Sequence, residues 1–184
     1  HFDHRILAAL DAPNRRLGSW HPLRAFPAPS STPADAVGVT WAIDGHPAAR
    51  ALCRRWSASL GGNAVEVTGE KRRLYHLAAS LAAGGVTTVL AAVDRLRRRA
   101  DLPDGLMASY LNLTAGAVDQ LPLDAPIAPG AFAAAITGPA ARGDAAMLDR
   151  QRRALDALAP ELGPLFAALT ETTGRLRSDD ASPA

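Results

Sequence analysis

The spacing of apolar residues changes character along this chain. Up to residue 69, short stretches rich in β-branched and aromatic residues, RLGSWH (16–21), VGVTWAI (37–43) and NAVEV (63–67), are separated by polar and breaker segments, as strands are. Between the second and third, HPAARALCRRWSASLGG carries apolar residues at Ala49, Leu52, Cys53, Trp56 and Leu60, with Pro47 in the first turn and Gly61 past the last. That pattern predicts an amphipathic helix, and strand, helix, strand predicts a crossover unit in a mostly parallel sheet. PAPSSTPADA holds too many breakers for regular structure and predicts a loop of the kind that rims a site.

From Glu70 the strand pattern stops. EKRRLYHLAASLAAGGVTTVLAAVDRLRRRA predicts one helix of about thirty residues, roughly 45 Å at 1.5 Å per residue, with Leu74, Leu77, Ala78, Leu81, Gly85, Val89 and Leu96 on one broad stripe. Its middle is apolar nearly all round, which suits a helix buried between neighbours or subunits. Gly84 and Gly85 weaken a helix, so they mark a kink, a close helix contact or room for a ligand. Further helices are expected at 103–121, 130–136, 144–158 and 160–173, with Gly174 at an end and the polar tail RLRSDDASPA frayed. The organisation read from these patterns is an α/β part over 1–69, a helical part over 70–174 and a flexible tail over 175–184.

Composition narrows the function classes. The chain has 184 residues, 48% of them hydrophobic, enough for a real core, and a net charge of +2 from 20 basic and 18 acidic residues. Basic runs at Arg54 and Arg55, Lys71 to Arg73, Arg97 to Arg99 and Arg150 to Arg153 read as solvated helix faces, and few aromatics interleave with them, so nucleic-acid binding is not expected. No signal-type segment or uninterrupted apolar run of membrane length is seen, so a soluble cytoplasmic protein without a membrane partner is expected. The single Cys53 sits at helical spacing from Trp56 and reads as a small core residue.

Four local features could carry chemistry. In GSWHPLRAF, Ser19 and His21 stand at a strand end; in LYHLAAS, Tyr75 and His76 are adjacent, so on a helix they point about 100° apart and one can pack while the other reaches a cleft. Asn112 lies on a later helix. In ITGPAARGD, Thr137, Gly138 and Pro139 break a helix, Asp144 is placed to cap the next one, and Arg142 suits a carboxylate or phosphate. The RGD tripeptide is not read as an adhesion motif, since the chain lacks disulfides and a secretion signal. GxGxxG, P-loop, CxxC, HExxH and GxSxG motifs are all missing, and no metal site is expected; His1 and His4 lack nearby cysteines or paired carboxylates.

Taken in order, GSWHPLRAF, VTWAIDG, LGG, LYHLAAS and ITGPAARGD resemble a bacterial family of Rossmann-like proteins with a helical C-terminal domain of unknown function. That family is similar in architecture to pyrroline-5-carboxylate reductase, prephenate dehydrogenase and the 6-phosphogluconate dehydrogenase-like superfamily. The resemblance implies an α/β remnant of a Rossmann-like domain followed by an all-α helical domain, and a chain corresponding to the C-terminal two-thirds of the family pattern, without its glycine-rich nucleotide-binding unit. It further implies an NADP-dependent oxidoreductase-like protein with an interdomain cleft for a small-molecule substrate, and a homodimer formed through the helical domain. His76, His21 and Tyr75 are then the expected catalytic residues, and Arg142, Thr137, Asp144 and Ser19 the expected substrate contacts. The chain departs from the family pattern at Arg24, at Ala83 and Gly84, and at Met147, Leu148 and Gln151. These departures leave a second reading open, a non-catalytic helical dimerisation or small-ligand-binding module.

Overall fold

The computed structural model describes residues 4–26, 32–69, 71–121 and 126–179, and the chain divides into two compact units, His1–Thr87 and Thr88–Ala184. The division falls within a helix and lies beyond residue 70, where the strand pattern ends.

Unit 1 is built on a three-stranded sheet in the order β1 (Gly18–Pro22), β2 (Thr40–Gly45), β3 (Asn63–Glu66), with helix α1 (Pro47–Ser59) joining β2 to β3. β2 and β3 are parallel, as a crossover requires, but β1 runs antiparallel to β2, from Gly18 opposite Gly45 to Pro22 opposite Trp41. The expected mostly parallel sheet is therefore mixed: the long Pro/Ser-rich connection lets the chain turn back without a crossover helix. Within that connection Pro33–Ala36 forms a 3₁₀ turn, held where the Thr32 amide donates to Asp35 Oδ2 at 2.8 Å, while residues 27–31 lie outside the described residues.

Strand alternation sends Trp20 to one face of the sheet and Ser19 and His21 to the other. On the first face α1 packs across all three strands. Trp20 stacks on Trp41 with ring centroids 3.9 Å apart, and its indole N–H donates to Ser57 Oγ at 3.0 Å. Ser57 rather than Trp56 is the buried residue of α1 here: Ser57 is fully buried and Trp56 is 46% exposed, its ring tilted against Trp20 at 5.5 Å. A small hydroxyl lets the helix approach the sheet and satisfies the half-buried indole at once, which apolar periodicity alone does not register. Cys53 is buried as expected, and burial pushes its thiol pKa up.

Pro47 opens α1, His46 Nδ1 accepts the Ala48 amide at its N-cap, and Gly61 ends it in the left-handed region at φ +67. Gly45 is more constrained. At φ +109 a Cβ there would lie 2.5 Å from both Gly18 Cα and Leu17 O, so this is where β1 and the end of β2 meet backbone to backbone.

The long helix is present but not regular. It runs as α2 (Lys71–Ser80), a π-helical turn (Leu81–Gly85) and α3 (Val86–Arg99). Gly84 and Gly85 both lie in that turn, and a Cβ on Gly84 would meet nothing within 4 Å. The glycines thus mark a widened turn beside open space, not a tight helix contact; such turns occur often at functional sites.

Unit 2 is helical throughout its described residues: the rest of α3, α4 (Leu106–Val118), α5 (Ala131–Ala135), α6 (Pro139–Arg142), α7 (Ala145–Leu158), a 3₁₀ turn (Pro160–Leu162) and α8 (Gly163–Asp179). Two expectations are corrected. Gly174 does not end the last helix, which runs to Asp179, and the Arg177 guanidinium donates to Ala133 O at 3.1 Å, so 175–179 is helix and not a frayed tail. Arg97 is not solvated: only 8% exposed, it donates to Asp94, to Asp104 and to Leu102 O at 3.0 Å, clamping the turn between α3 and α4. Arg99 donates to Leu158 O at 2.9 Å and pairs with Glu161, which also pairs with Arg95 at 2.8 Å.

Candidate functional site

The second face of the unit 1 sheet carries the polar cluster. Residues 72, 75 and 76 are spaced i, i+3, i+4 on α2, so Arg72, Tyr75 and His76 share one helix face. His21, four residues into β1, meets that face. Its ring lies edge-on to His76 at a centroid distance of 4.7 Å and to Tyr75 at 5.9 Å, and His21 Nδ1 is 3.4 Å from the Tyr75 hydroxyl. Tyr75 and His76 therefore converge on one imidazole; their adjacency on a helix had left room for one to pack while the other reached a cleft, whereas the family resemblance had both facing it. The rings are large enough to bend toward a common point although their Cα–Cβ bonds diverge.

Arg72 is the residue that sequence reasoning passed over. Read as part of a solvated KRR run, it is 2% exposed and donates to Val67 O at 3.3 Å. Its spacing to Tyr75 and His76 was the available signal. The guanidinium shapes the proton chemistry of its neighbours. Burial, then His76, then Arg72 lower the pKa of His21; burial, then Arg72, lower that of His76; burial raises that of Tyr75 against the opposing pull of Arg72. Near neutrality the phenol is protonated and both imidazoles favour their neutral form, so the Tyr75 O–H can donate to a lone pair on His21 Nδ1.

These shifts make stability depend on pH in one direction. Both histidines bind protons less readily folded than unfolded, so their contribution is complete above the ordinary imidazole value of about 6.5. It is lost as pH falls from there through the depressed folded values. Urea midpoints of the wild type are expected to drop from pH 7.5 to pH 5, and that drop is expected to shrink in a His21→Gln, His76→Gln variant. Identical pH profiles for the two proteins would contradict the assignment.

A groove of about 460 Å³ opens beside the cluster. His21, Arg24, His76 and Ser80 supply its polar lining, and Ala82 and Ala83 of the π-helical turn are part of its wall. Arg24, at the rim, pairs with Asp35 at 3.3 Å. Ser19 shares the sheet face of His21; its hydroxyl is buried, with no hydrogen-bond partner among the described residues. Asp44, opposite Ser19 in the strand register, is 2% exposed and accepts the Gly45 amide at 2.8 Å.

The other expected site residues belong to unit 2. Asp144 caps α7, its Oδ1 accepting the Met147 amide at 3.0 Å. Arg142 ends α6 with an exposed side chain, and Thr137 is exposed just before that helix. Asn112 lies on the exposed side of α4. Among the described residues no group of three or more histidine, cysteine or acidic side chains is arranged to hold a metal ion. His1 lies outside the described residues.

Residues 39–173 match the family described as domain of unknown function DUF2520. This chain belongs to that family. The DUF2520 chain is also similar to two solved structures. A candidate NADP oxidoreductase, BF3122 of Bacteroides fragilis, aligns with TM-score 0.72 at 20% identity over 95% of this chain and 62% of its own. Protein TM1727 of Thermotoga maritima aligns with TM-score 0.70 at 16% identity over 90% of this chain and 63% of its own. No curated protein matches significantly. The DUF2520 chain thus shares the fold of these two structures, a small Rossmann-like α/β part followed by a helical domain, and spans less than two-thirds of either.

Whether its residues fit a dinucleotide can be tested at the crossover. Dinucleotide pyrophosphate is gripped by free amides at a helix N-terminus behind a glycine turn. At the β2 to α1 turn the first helical residue is Pro47, which has no N–H, and the Ala48 amide is taken by His46. On the side of Gly45 where a Cβ would point, the backbone of Leu17 and Gly18 closes in to 2.5 Å. The crossover of this DUF2520 chain does not fit that grip.

Proposed function

We propose that the DUF2520 chain supplies the substrate-facing and assembly parts of an NADP-dependent oxidoreductase-like protein, with unit 1 carrying the ligand groove. The observation behind this reading is the convergence of His21, Tyr75 and His76 at the edge of that groove. NADP enters through the family resemblance and the description of the Bacteroides structure, and the grip for it is not offered by the crossover in this chain.

In this reading His76 donates or accepts a proton at a polar atom of the bound ligand, His21 orients and exchanges with it, and Tyr75 fixes the tautomer of His21. Ser19 supports the same face. Arg142, Thr137 and Asp144 of unit 2 are proposed substrate contacts apart from the unit 1 groove. The test has two arms. NADPH titrated against this chain is expected to show no saturable micromolar binding, and such binding would contradict the absent grip. In a screen of NADPH oxidation with small carbonyl and imine compounds, using the full natural protein, His76→Ala is expected to cut turnover about 100-fold or more. Unchanged turnover would remove His76 from its role.

Leu74, Leu77 and Leu81 are 68%, 56% and 62% exposed, forming a row at i, i+3, i+7 on the long helix. We propose that a second copy of the chain covers this row, giving a homodimer. By length and composition Lys71–Arg99 is also long and apolar enough to cross a membrane. The docking of Arg72, Tyr75 and His76 against unit 1 instead supports a helix with one polar, protein-facing side, and we propose a soluble, cytoplasmic protein. The same row supports the second reading, a non-catalytic dimerisation or ligand-binding module, which would show the dimer and no NADPH-dependent turnover.

A further inference from the structure

We propose that the groove beside His21 and His76 binds a small organic anion, a carboxylate carried on a compact apolar body; this rests on the reading of that groove as the ligand site. Its polar lining consists of two imidazoles, the Ser80 hydroxyl and, at the rim, Arg24, and no acidic side chain is among its described lining residues. The remaining wall is apolar, with Leu23, Ala79, Ala82 and Ala83 offering short hydrocarbon surfaces and little that could satisfy a second charged group. A volume of about 460 Å³ suits a small molecule and not a peptide. A lining of a few donors among hydrocarbon side chains favours one carboxylate on an apolar body over a bare polyanion such as phosphate.

The surrounding charges favour the same ligand. Behind the rings the buried Arg72 opposes protonation of both histidines, which marks a positive local field. Arg24 adds charge at the rim, partly offset by Asp35. Asp44 is the acidic group on the His21 face of β2, and it does not line the groove; Tyr75, on α2, is held protonated by burial. A carboxylate entering this field offers the neutral imidazoles a counter-charge, so binding draws a proton onto the pair and strengthens as pH falls.

The test uses this chain without nucleotide, followed by NMR of imidazole nitrogens and backbone amides. The probes are benzoate, its neutral isostere benzamide, and inorganic phosphate. Benzoate is expected to shift the Ser80, Ala82 and imidazole signals, to raise the pKa of His76 or His21, and to lose up to about tenfold in affinity per pH unit above the free values. Ser80→Ala, at an exposed position that leaves the fold intact, is expected to weaken benzoate several-fold. Benzamide binding as well as benzoate, phosphate displacing benzoate as the better ligand, or histidine pKa values unmoved at saturation would each overturn the proposal. Because no turnover is measured, benzoate binding without reductase activity would count against the oxidoreductase reading alone, while unmoved imidazoles would count against the anion site alone.

Discussion

Leu77→Glu with Leu81→Glu is expected to convert a dimer into a monomer throughout the micromolar range. Both leucines are more than half exposed in the single chain, and a two-fold interface would bury each of them twice. Four leucine side chains at about 1.5 kcal/mol each amount to roughly 6 kcal/mol of apolar burial, so a loss of at least about three decades in dissociation constant is expected. Glutamate is a strong helix former, so helicity should survive, and circular dichroism can confirm it. Sedimentation equilibrium decides the matter. A wild-type monomer at ten times the usual working concentration would end the homodimer proposal, and a variant that stays dimeric would move the interface off this row.

Gly45→Ala is expected to disrupt unit 1 while leaving the helices of unit 2 folded. The left-handed backbone at φ +109 alone costs a non-glycine residue roughly 1–3 kcal/mol. The added Cβ would also sit 2.5 Å from Gly18 Cα and from Leu17 O, both backbone atoms held by the β1 to β2 register. Neither can move without parting the two strands, so the total is expected to exceed about 3 kcal/mol, among the largest effects of a single substitution. Amide hydrogen exchange would show lost protection over Gly18–Pro22 and Thr40–Gly45 with α7 and α8 unaffected. Protection retained in both strands would mean that the backbone yields more readily than its packing implies.

The fold was legible in the sequence wherever a short-range pattern set it. Pro47, Gly61 and the apolar spacing between them placed α1, and the change of period at residue 70 placed the start of the helical stretch. The direction of β1 was not legible, because it depends on how a long loop returns, which no local pattern encodes. The π-helical turn was half legible: Gly84 and Gly85 announced an irregularity without saying of what kind. At the candidate site, His21, Tyr75 and His76 were singled out from their motifs, but the ring contacts among them were not legible, since side-chain bending decides them. Arg72 was missed because a basic run is usually solvated; the same error applied to Arg97. In both cases a carbonyl or carboxylate a few residues outside the run makes burial of the guanidinium tolerable, and such partners are invisible to a composition count.

Trp20, Trp41 and Trp56, the three tryptophans of the chain, all lie in the cluster under α1. Fluorescence excited at the red edge of the protein spectrum therefore reports unit 1 alone, and unit 2 is dark to it. The stacked pair at 3.9 Å should also couple its indole transitions, giving a near-ultraviolet dichroic signature that vanishes when β1 parts from β2. The protein carries a built-in optical label on the half that holds the groove.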